Sequence, residues 1–188
     1  MSFIQNLPAF FIALTVHEYA HGFVAHKLGD NTAKHMGRLT LNPLAHIDLF
    51  GTILLPLTLI IYNAPIVIGW AKPVPVNFYN LRNPKKGIIW VGLAGPAANF
   101  ICGFFVFLIM NSGWVTNQVF DQFLRSLFLI NLILGCFNLI PIAPLDGSRI
   151  IMGLLPDKLV GPYTKFSSWL GILIMLGITL ILLFRRIF

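Results

Sequence analysis

The segment His17-Glu18-Tyr19-Ala20-His21 carries the most reactive side chains of an otherwise apolar N-terminal region. On a helix, residues four positions apart lie on one face, so His17 and His21 can direct their imidazoles at one metal ion. Glu18 is then beside that ion and suited to act as a general base. It is the sole glutamate of the chain, and an isolated charge in an apolar segment is by default functional. The pattern predicts a hydrolytic metal centre.

A hydrolytic zinc site usually has three protein ligands, so two histidines leave one to be found. No second glutamate exists in the sequence, and the glycine and histidine of the metzincin motif are replaced by Val24 and Lys27. The remaining carboxylates are Asp30, Asp48, Asp121, Asp146 and Asp157. Only Asp146 follows directly on a long apolar segment, after a proline-broken run that can turn an oxygen toward a buried ion. We predict Asp146 as the third ligand; a plain turn residue before Gly147 is the alternative.

The composition is that of an integral membrane protein. Of the 188 residues, 57% are hydrophobic and 10% are charged, and the mean hydropathy is +0.82. Most of the uncharged runs reach the roughly 20 residues needed to cross a bilayer. These runs are 2–16, 49–71, 87–120, 126–145 and 166–184. We predict an all-α polytopic protein with four to five transmembrane helices, a re-entrant or short helix, and a small membrane-associated β-hairpin.

The elements can be placed along the chain from these runs. Long helices are predicted over about 7–28, 87–110, 122–139 and 167–184, and a short amphipathic helix over 149–155. The first helix is expected to be retained, because no basic residue precedes it as in a signal peptide. One domain, 1–188, is predicted, with its core over 7–150 and a C-terminal helix over 167–186.

Two segments between the long helices are read differently. The run 49–61, broken by Pro56, is short for a complete span, which favours a re-entrant segment over a full crossing. In 66–77, β-branched residues surround Gly69 and alternate with prolines, which predicts the hairpin with edge-type strands. The loop that holds His35 and His46 is predicted to line a water path to the metal, with a purely structural loop as the alternative.

The basic residues indicate lipid rather than nucleic acid as a partner. Thirteen lysines and arginines against six acidic residues give a net charge of +7, and the basic residues are scattered through short loops beside apolar segments. The positive-inside rule places the loops 27–48, 72–86 and 149–165 in the cytoplasm. We therefore expect a multi-pass protein of a prokaryotic cell membrane, with its site reached from the cytoplasmic side. The terminal Arg185-Arg186 pair opposes this topology.

These residues resemble those of the site-2 protease family of intramembrane zinc metalloproteases, in its compact form without PDZ or CBS domains. His17-Glu18-x-x-His21 is similar to the first family motif. Asn138-x-x-Pro141, leading to Leu145-Asp146-Gly147, is similar to the second. Between them, Gly95-x-x-x-Asn99 looks like the element of the intervening core helix, and 42–48 and 69–76 look like features of the bacterial and archaeal branch. The resemblance covers about residues 10–150.

The resemblance implies a role for each of these residues. His17, His21 and Asp146 would bind one Zn²⁺, and Glu18 would activate water. Asn99 and Asn138 would stabilise an oxyanion or hold the substrate backbone, with simple interhelical hydrogen bonding as the alternative. The implied activity is hydrolysis of peptide bonds within or near the transmembrane segments of single-span membrane proteins.

A non-proteolytic zinc-binding membrane protein, either a transporter or a pseudoenzyme, is the rival interpretation. A transporter is expected to carry polar residues on successive helices or a paired repeat. This chain concentrates its polar chemistry at one place. A pseudoenzyme would typically have lost the base, whereas Glu18 is present.

Overall fold

The computed structural model describes residues 3–62 and 69–184, with side chains over 6–62 and 69–177. All regular secondary structure in these ranges is helical. The α-helices are α1 (Phe3–Lys27), α2 (Thr32–His35), α3 (Leu55–Ile61), α4 (Pro84–Met110), α5 (Gln118–Asn138), α6 (Asp146–Leu154) and α7 (Asp157–Phe184). Two 3-10 turns, Pro43–His46 and Phe78–Asn80, and a π-helix, Leu49–Leu54, lie between them.

The centre of the fold is a bundle of α1, α4 and α5, with α6 packed on α4. Small residues let the helix backbones approach one another, as is usual where helices pack inside a membrane. Ala9 and Ala13 of α1 are fully buried against Val106 of α4 and Leu124 and Leu127 of α5. The bundle therefore brings the second half of α1, which carries the histidines, against the first half of α4.

An asparagine cap begins each of the two long helices that pack against α1, namely α4 and α5. Oδ1 of Asn83 accepts a hydrogen bond from the backbone N–H of Lys86 at 3.1 Å, and Pro84 occupies the first position of α4. Oδ1 of Asn117 accepts from the N–H of Phe120 at 3.0 Å at the start of α5. Both arrangements satisfy N–H groups that have no partner within the helix.

Three helices of the described chain are long and apolar enough to span a bilayer, namely Pro84–Met110, Gln118–Asn138 and Asp157–Gly177. The protein is an integral membrane protein. The predicted number of four to five spanning helices is wrong for the described residues. Helix α1 has 25 residues, but its His-Glu motif lowers its hydropathy, and it is not one of the three.

The apolar run after residue 48 forms the π-helix Leu49–Leu54 followed by α3. Together these elements cover 13 residues, Leu49–Ile61. At 1.5 Å per residue this gives about 20 Å, which is short of the roughly 30 Å of a bilayer core. The short helix is as predicted, and its re-entrant path stays a prediction.

The β-hairpin predicted over 66–77 is wrong. Residues 63–68 lie outside the described chain, and 69–77 have no regular secondary structure. Pro73 and Pro75 have no N–H, so this segment cannot form a continuous ladder. The N–H between them, on Val74, donates to Oε2 of Glu18 at 2.7 Å, and the N–H of Lys72 donates to the carbonyl of His46 at 3.0 Å. The segment is thus held by α1 and a loop rather than by a partner strand.

Helix α7 holds the loop that leads from α5 to α6. The hydroxyl of Tyr163 donates to the carbonyl of Pro141 at 2.7 Å, and Oγ of Ser167 accepts from the N–H of Ala143 at 2.6 Å. One turn further on, Gly171 lies so close to the carbonyl of Ala143 that a Cβ would overlap it. The loop that precedes Asp146 is therefore clamped from the outside of the bundle.

Candidate metal centre

Three buried side chains meet at one point between α1 and α6. Nε2 of His17 lies 3.1 Å from Oδ2 of Asp146, Nε2 of His21 lies 3.0 Å from the same oxygen, and the two Nε2 atoms are 3.1 Å apart. No more than 4% of any of the three residues is exposed. In the described part of the chain, this is the one group of three residues with the spacing of metal ligands. We call it the candidate metal centre.

Each side chain is brought there by a different feature of the sequence. His17 and His21 are one turn apart on α1, and their rings meet edge to face at a centroid distance of 4.7 Å. Asp146 is the first residue of α6, where the free N–H groups of a helix favour a negative charge. The chain doubles back to reach this position, and a Cβ on Gly147 would overlap the carbonyl of Leu139. Gly147 therefore permits the close return of the chain onto Leu139, and Asp146 places its carboxylate at the start of α6.

The outer nitrogens of both histidines have partners. Nδ1 of His21 donates to the carbonyl of Val91 at 2.6 Å, and Nδ1 of His17 lies 2.6 Å from Oδ1 of Asn99. A proton on each Nδ1 leaves a lone pair on each Nε2. Two imidazole lone pairs and a carboxylate oxygen then face one another with no proton between them, an arrangement that favours a cation.

The geometry fits zinc. Ligand atoms about 2.0 to 2.1 Å from a tetrahedral zinc ion are about 3.3 to 3.4 Å apart. The separations of 3.0–3.1 Å in the candidate metal centre are close to these values. Histidines whose second nitrogen donates to a carbonyl oxygen are also typical of zinc sites. Nitrogen and carboxylate oxygen ligands in this arrangement can therefore hold the ion.

A glycine makes room for the two imidazoles. Gly95 of α4 faces the candidate metal centre, and a Cβ there would lie 2.7 Å from Nε2 of His17 and closer still to Nε2 of His21. The Gly-x-x-x-Asn element thus places its two named residues on the same side of α4. Gly95 admits the metal-facing nitrogens, and Asn99 contacts the outer nitrogen of His17.

An arginine holds the other oxygen of Asp146. Nη1 of Arg149 donates to Oδ1 at 2.9 Å, whereas Oδ2 faces the histidines. The guanidinium also lies 6.0 Å from the ring centroid of Phe78. Arg149 therefore orients the carboxylate so that one oxygen points into the candidate metal centre. Arg149 was not among the predicted site residues, although a basic residue one turn after a predicted ligand is a usable signal.

Glu18 lies beside the candidate metal centre and is not part of it. The side chain is half-buried, and Oε2 accepts the hydrogen bond from Val74 described above. This hydrogen bond from the backbone of segment 69–77 gives the carboxylate a defined orientation. This placement suits a base that contacts water rather than the ion.

Three asparagines of α4 and α5, namely Asn99, Asn131 and Asn138, differ in their hydrogen-bond partners. Asn99 is fully buried and contacts His17. Asn138 is half-buried and donates to the carbonyl of Leu134 on its own helix at 3.0 Å, and its described hydrogen bonds do not reach the candidate metal centre. Asn131, which sequence reasoning missed, is fully buried and accepts a hydrogen bond from Asn99 at 2.8 Å. A polar residue within the spanning helix α5 was the available signal.

The two histidines predicted to line a water path differ in burial. His46 is buried, and its Nε2 lies 2.9 Å from the carbonyl of Thr40, whereas His35 is exposed. Asp48 caps the π-helix, because its Oδ1 accepts from the N–H of Gly51 at 2.7 Å. The water path itself stays a prediction.

Comparison with known proteins identifies the family. The family model described as Peptidase family M50 matches residues 109–182, which include Asp146. The putative zinc metalloprotease YwhC of Bacillus subtilis is 41% identical over 166 residues, which cover 84% of this chain and 72% of the relative. The chain belongs to peptidase family M50. Zinc metalloprotease MJ0392 of Methanocaldococcus jannaschii is 30% identical to this M50 protein over 148 residues, covering 79% of this chain and 33% of the relative.

A solved structure agrees with this assignment. The site-2 protease from Methanocaldococcus jannaschii superposes on this M50 protein with a TM-score of 0.61 at 26% identity, covering 99% of this chain and 71% of the other. The resemblance to the site-2 protease family is confirmed. The protein is accordingly a metallopeptidase of the M50 family, and Zn²⁺ is its cofactor.

Proposed function

We propose that this M50 protein cleaves peptide bonds within or near the transmembrane segments of single-span membrane proteins. The observation that carries the proposal is the meeting of His17, His21 and Asp146 within 3.1 Å of one another, inside a bundle that includes two helices able to span a bilayer. A hydrolytic centre buried among such helices can act on a peptide that enters from the membrane.

We assign the ion to Nε2 of His17, Nε2 of His21 and Oδ2 of Asp146. Bound there, zinc supplies Lewis acidity, which activates water and polarises a peptide carbonyl. Asn99 and the carbonyl of Val91 hold the imidazoles, and Arg149 holds the carboxylate. These contacts keep the ligands in place before the ion and the substrate arrive.

We assign proton transfer to Glu18. Oε2 is engaged by the N–H of Val74, so Oε1 is the oxygen that takes the proton of the attacking water. The same carboxyl group then gives that proton to the amide nitrogen of the departing peptide, and Glu18 returns to its ionised form. The general-base role follows from its position next to His17 and outside the ligand set.

The cytoplasmic side of the membrane is the proposed side of entry. Gly95 is 11 residues from Pro84, the first residue of α4, which corresponds to about 17 Å along the helix. Lys85 and Lys86 lie in the first turn of α4, and Lys27 ends α1. The next residue, Leu28, accepts a hydrogen bond from the N–H of Arg82 at 3.0 Å, so these two helix ends lie close together. Since basic residues concentrate on the cytoplasmic side, the candidate metal centre is nearer to that surface.

The test is cleavage of a model single-span substrate by the purified full chain in detergent. We expect cleavage by the wild type, loss of cleavage with a chelator, and recovery when zinc is restored. Glu18→Gln is expected to retain zinc and lose cleavage. Asp157→Asn is the matched control, because it makes the same carboxylate-to-amide change at an exposed residue paired with Lys85.

Two results would overturn the proposal. One is cleavage by Glu18→Gln at the wild-type rate, which would remove the assigned base. The other is a wild-type protein that binds zinc and cleaves none of a panel of single-span substrates, as a zinc-dependent transporter or a pseudoenzyme would behave.

A further inference from the structure

Asn131 is a fully buried polar residue in the middle of the spanning helix α5, and the chemistry above leaves it without a role. Both ends of its amide are engaged. Oδ1 accepts from Nδ2 of Asn99 at 2.8 Å, and Nδ2 donates to the carbonyl of Leu127 at 2.8 Å. A buried amide is unfavourable unless its hydrogen bonds are made, so these contacts hold Asn131 in one orientation.

The partners of Asn99 determine which way its amide faces. Nδ2 donates to two acceptors, the carbonyl of Ala13 at 3.0 Å and Oδ1 of Asn131. Neither acceptor can donate a proton, so the nitrogen of Asn99 must face them and its oxygen must face the other way. Oδ1 of Asn99 is therefore the atom that lies 2.6 Å from Nδ1 of His17.

The orientation of Asn99 in turn selects one tautomer of His17. An amide oxygen can only accept, so Nδ1 of His17 carries the proton and Nε2 keeps its lone pair for the candidate metal centre. His21 obtains the same result from the backbone carbonyl of Val91. His17 depends instead on the side chain of Asn99, which is held by the carbonyl of Ala13 and by Asn131. Asn131 is itself held by the carbonyl of Leu127, which completes the series of hydrogen bonds.

We propose that Asn131 is a positioning residue for the metal centre, which acts through Asn99 to hold His17 in the tautomer that binds zinc. The proposal rests on the ligand role given to His17 in the proposed function. Asn131 contacts neither the ion nor the substrate. Through Asn99 it determines the orientation of the His17 ring and the ring nitrogen that carries the proton.

Two substitutions at Asn131 separate positioning from packing. Asn131→Leu keeps the number and branching of the side-chain heavy atoms, occupies a larger volume, and cannot accept a hydrogen bond from Asn99. Asn131→Asp has the same shape, and burial keeps its carboxyl group protonated. Its carbonyl oxygen can then accept from Asn99 and its hydroxyl can donate to Leu127, so the series of hydrogen bonds is preserved.

The first measurement is zinc affinity, by competition with a chromophoric chelator on the purified full chain. We expect Asn131→Leu to bind zinc about 10- to 100-fold more weakly than the wild type. Asn131→Asp is expected to bind within a few-fold of the wild type. If Asn131→Leu does not fold, Asn131→Ser takes its place, because its hydroxyl can bond the carbonyl of Leu127 but is too short to reach Asn99.

The second measurement is the ¹⁵N spectrum of the imidazoles in the metal-free protein at one fixed pH. The His17 signals are assigned by their loss in His17→Ala. We expect protonated Nδ1 in the wild type and in Asn131→Asp, and a mixture of tautomers in Asn131→Leu. A purely structural role would lower the thermal stability of Asn131→Leu and leave the tautomer unchanged.

The proposal is overturned if folded Asn131→Leu keeps both the wild-type zinc affinity and the wild-type tautomer, or if Asn131→Asp loses as much affinity as Asn131→Leu. If His17→Ala binds zinc as tightly as the wild type, the ligand assignment of the proposed function is rejected instead. The tautomer measurement is made without metal, so it tests Asn131 in either case.

Discussion

Gly95 and His21 are in such close contact that a single carbon atom added to Gly95 would overlap the metal-facing Nε2 of the imidazole. Helix α4 therefore forms the floor of the candidate metal centre without contributing a ligand to it. The contact also limits how far α1 can move relative to α4, because both imidazoles rest on the backbone at this position.

Gly95→Ala is expected to displace the imidazoles and to lower zinc stoichiometry in the purified protein. The added methyl group would occupy the space between Nε2 of His17 and Nε2 of His21, so the rings must rotate or α1 must shift. Metal content by elemental analysis, at a known protein concentration, measures the effect.

Gly103→Ala is the matched control for this change. It lies on the same helix, and its Cβ would meet its nearest neighbour, Cβ of Asn131, at an ordinary 3.6 Å. We expect it to keep full zinc stoichiometry. Equal zinc content in the two variants would show that α4 does not restrict the site.

Asp146→Ala is expected to abolish stoichiometric zinc binding, and Arg149→Met to weaken it by a smaller factor. The first variant removes the carboxylate oxygen that contacts both histidines, whereas the second removes a hydrogen bond to Oδ1 and leaves Oδ2 in place. Chelator competition gives both affinities. Loss of a contact that orients a ligand typically weakens metal binding about 10- to 100-fold. An unchanged affinity in Asp146→Ala would require the third ligand to be another residue.

Spacing and elimination were sufficient to name the residues that the structure brings together. The i, i+4 histidines needed only a helix, and the scarcity of carboxylates narrowed the third candidate to five aspartates. The proline-rich approach to Asp146 was the distinguishing feature. None of this required knowledge of how the helices pack.

Features that depend on helix packing escaped the sequence analysis. Asn131 and Asn138 are two turns apart on α5 and therefore lie on similar faces, so only the depth at which α4 crosses α5 decides which of them meets Asn99. In the structure, Asn131 accepts a hydrogen bond from Asn99, whereas Asn138 donates to a carbonyl of its own helix. The roles predicted for Asn99 and Asn138 toward an oxyanion or the substrate stay predictions.

The hairpin prediction was wrong because residues that favour a strand and residues that oppose one occur together in this segment. The β-branched residues of 69–77 favour a strand, but Pro73 and Pro75 remove two successive N–H donors from the same edge of the segment. The remaining N–H of Val74 is used by Glu18, a partner 56 positions away in the sequence. Composition could show that the ladder was weak but not that a side chain of α1 would take its place.

Gly171→Ala is expected to weaken zinc binding although position 171 is on α7, outside the bundle that holds the histidines. The methyl group would overlap the carbonyl of Ala143 and push the loop that delivers Asp146 away from α7. Zinc affinity by chelator competition is the measurement. Gly161→Ala and Gly177→Ala are controls on the same helix, since a Cβ at either position has no neighbour within 4 Å. If all three variants bind zinc equally, the clamp has no influence on the ligand.

Asp30 is expected to make the stability of the protein depend on pH in the acid range. The residue is fully buried after α1, and its carboxylate accepts hydrogen bonds from Thr32, from the N–H of Asn77 at 2.7 Å and from Nδ2 of Asn80 at 3.0 Å. Burial opposes ionisation of Asp30, but these hydrogen bonds outweigh it and lower the pKa below its usual value. The ionised side chain thus joins the end of α1 to the segment that precedes α4.

The sign of the effect follows from the lowered pKa. A carboxyl group that is more acidic in the folded state contributes its full stabilisation above the unfolded pKa of about 4, and loses it as the pH falls further. Asp30→Asn should lower the free energy of unfolding at neutral pH by about 2 to 4 kcal/mol, because hydrogen bonds to a buried charge are lost. The difference from the wild type should shrink between pH 5 and about pH 3. Thermal unfolding of the metal-free protein across that range measures it, with exposed Asp157→Asn as the control. A difference independent of pH would mean that Asp30 stabilises the loop by its shape rather than by its charge.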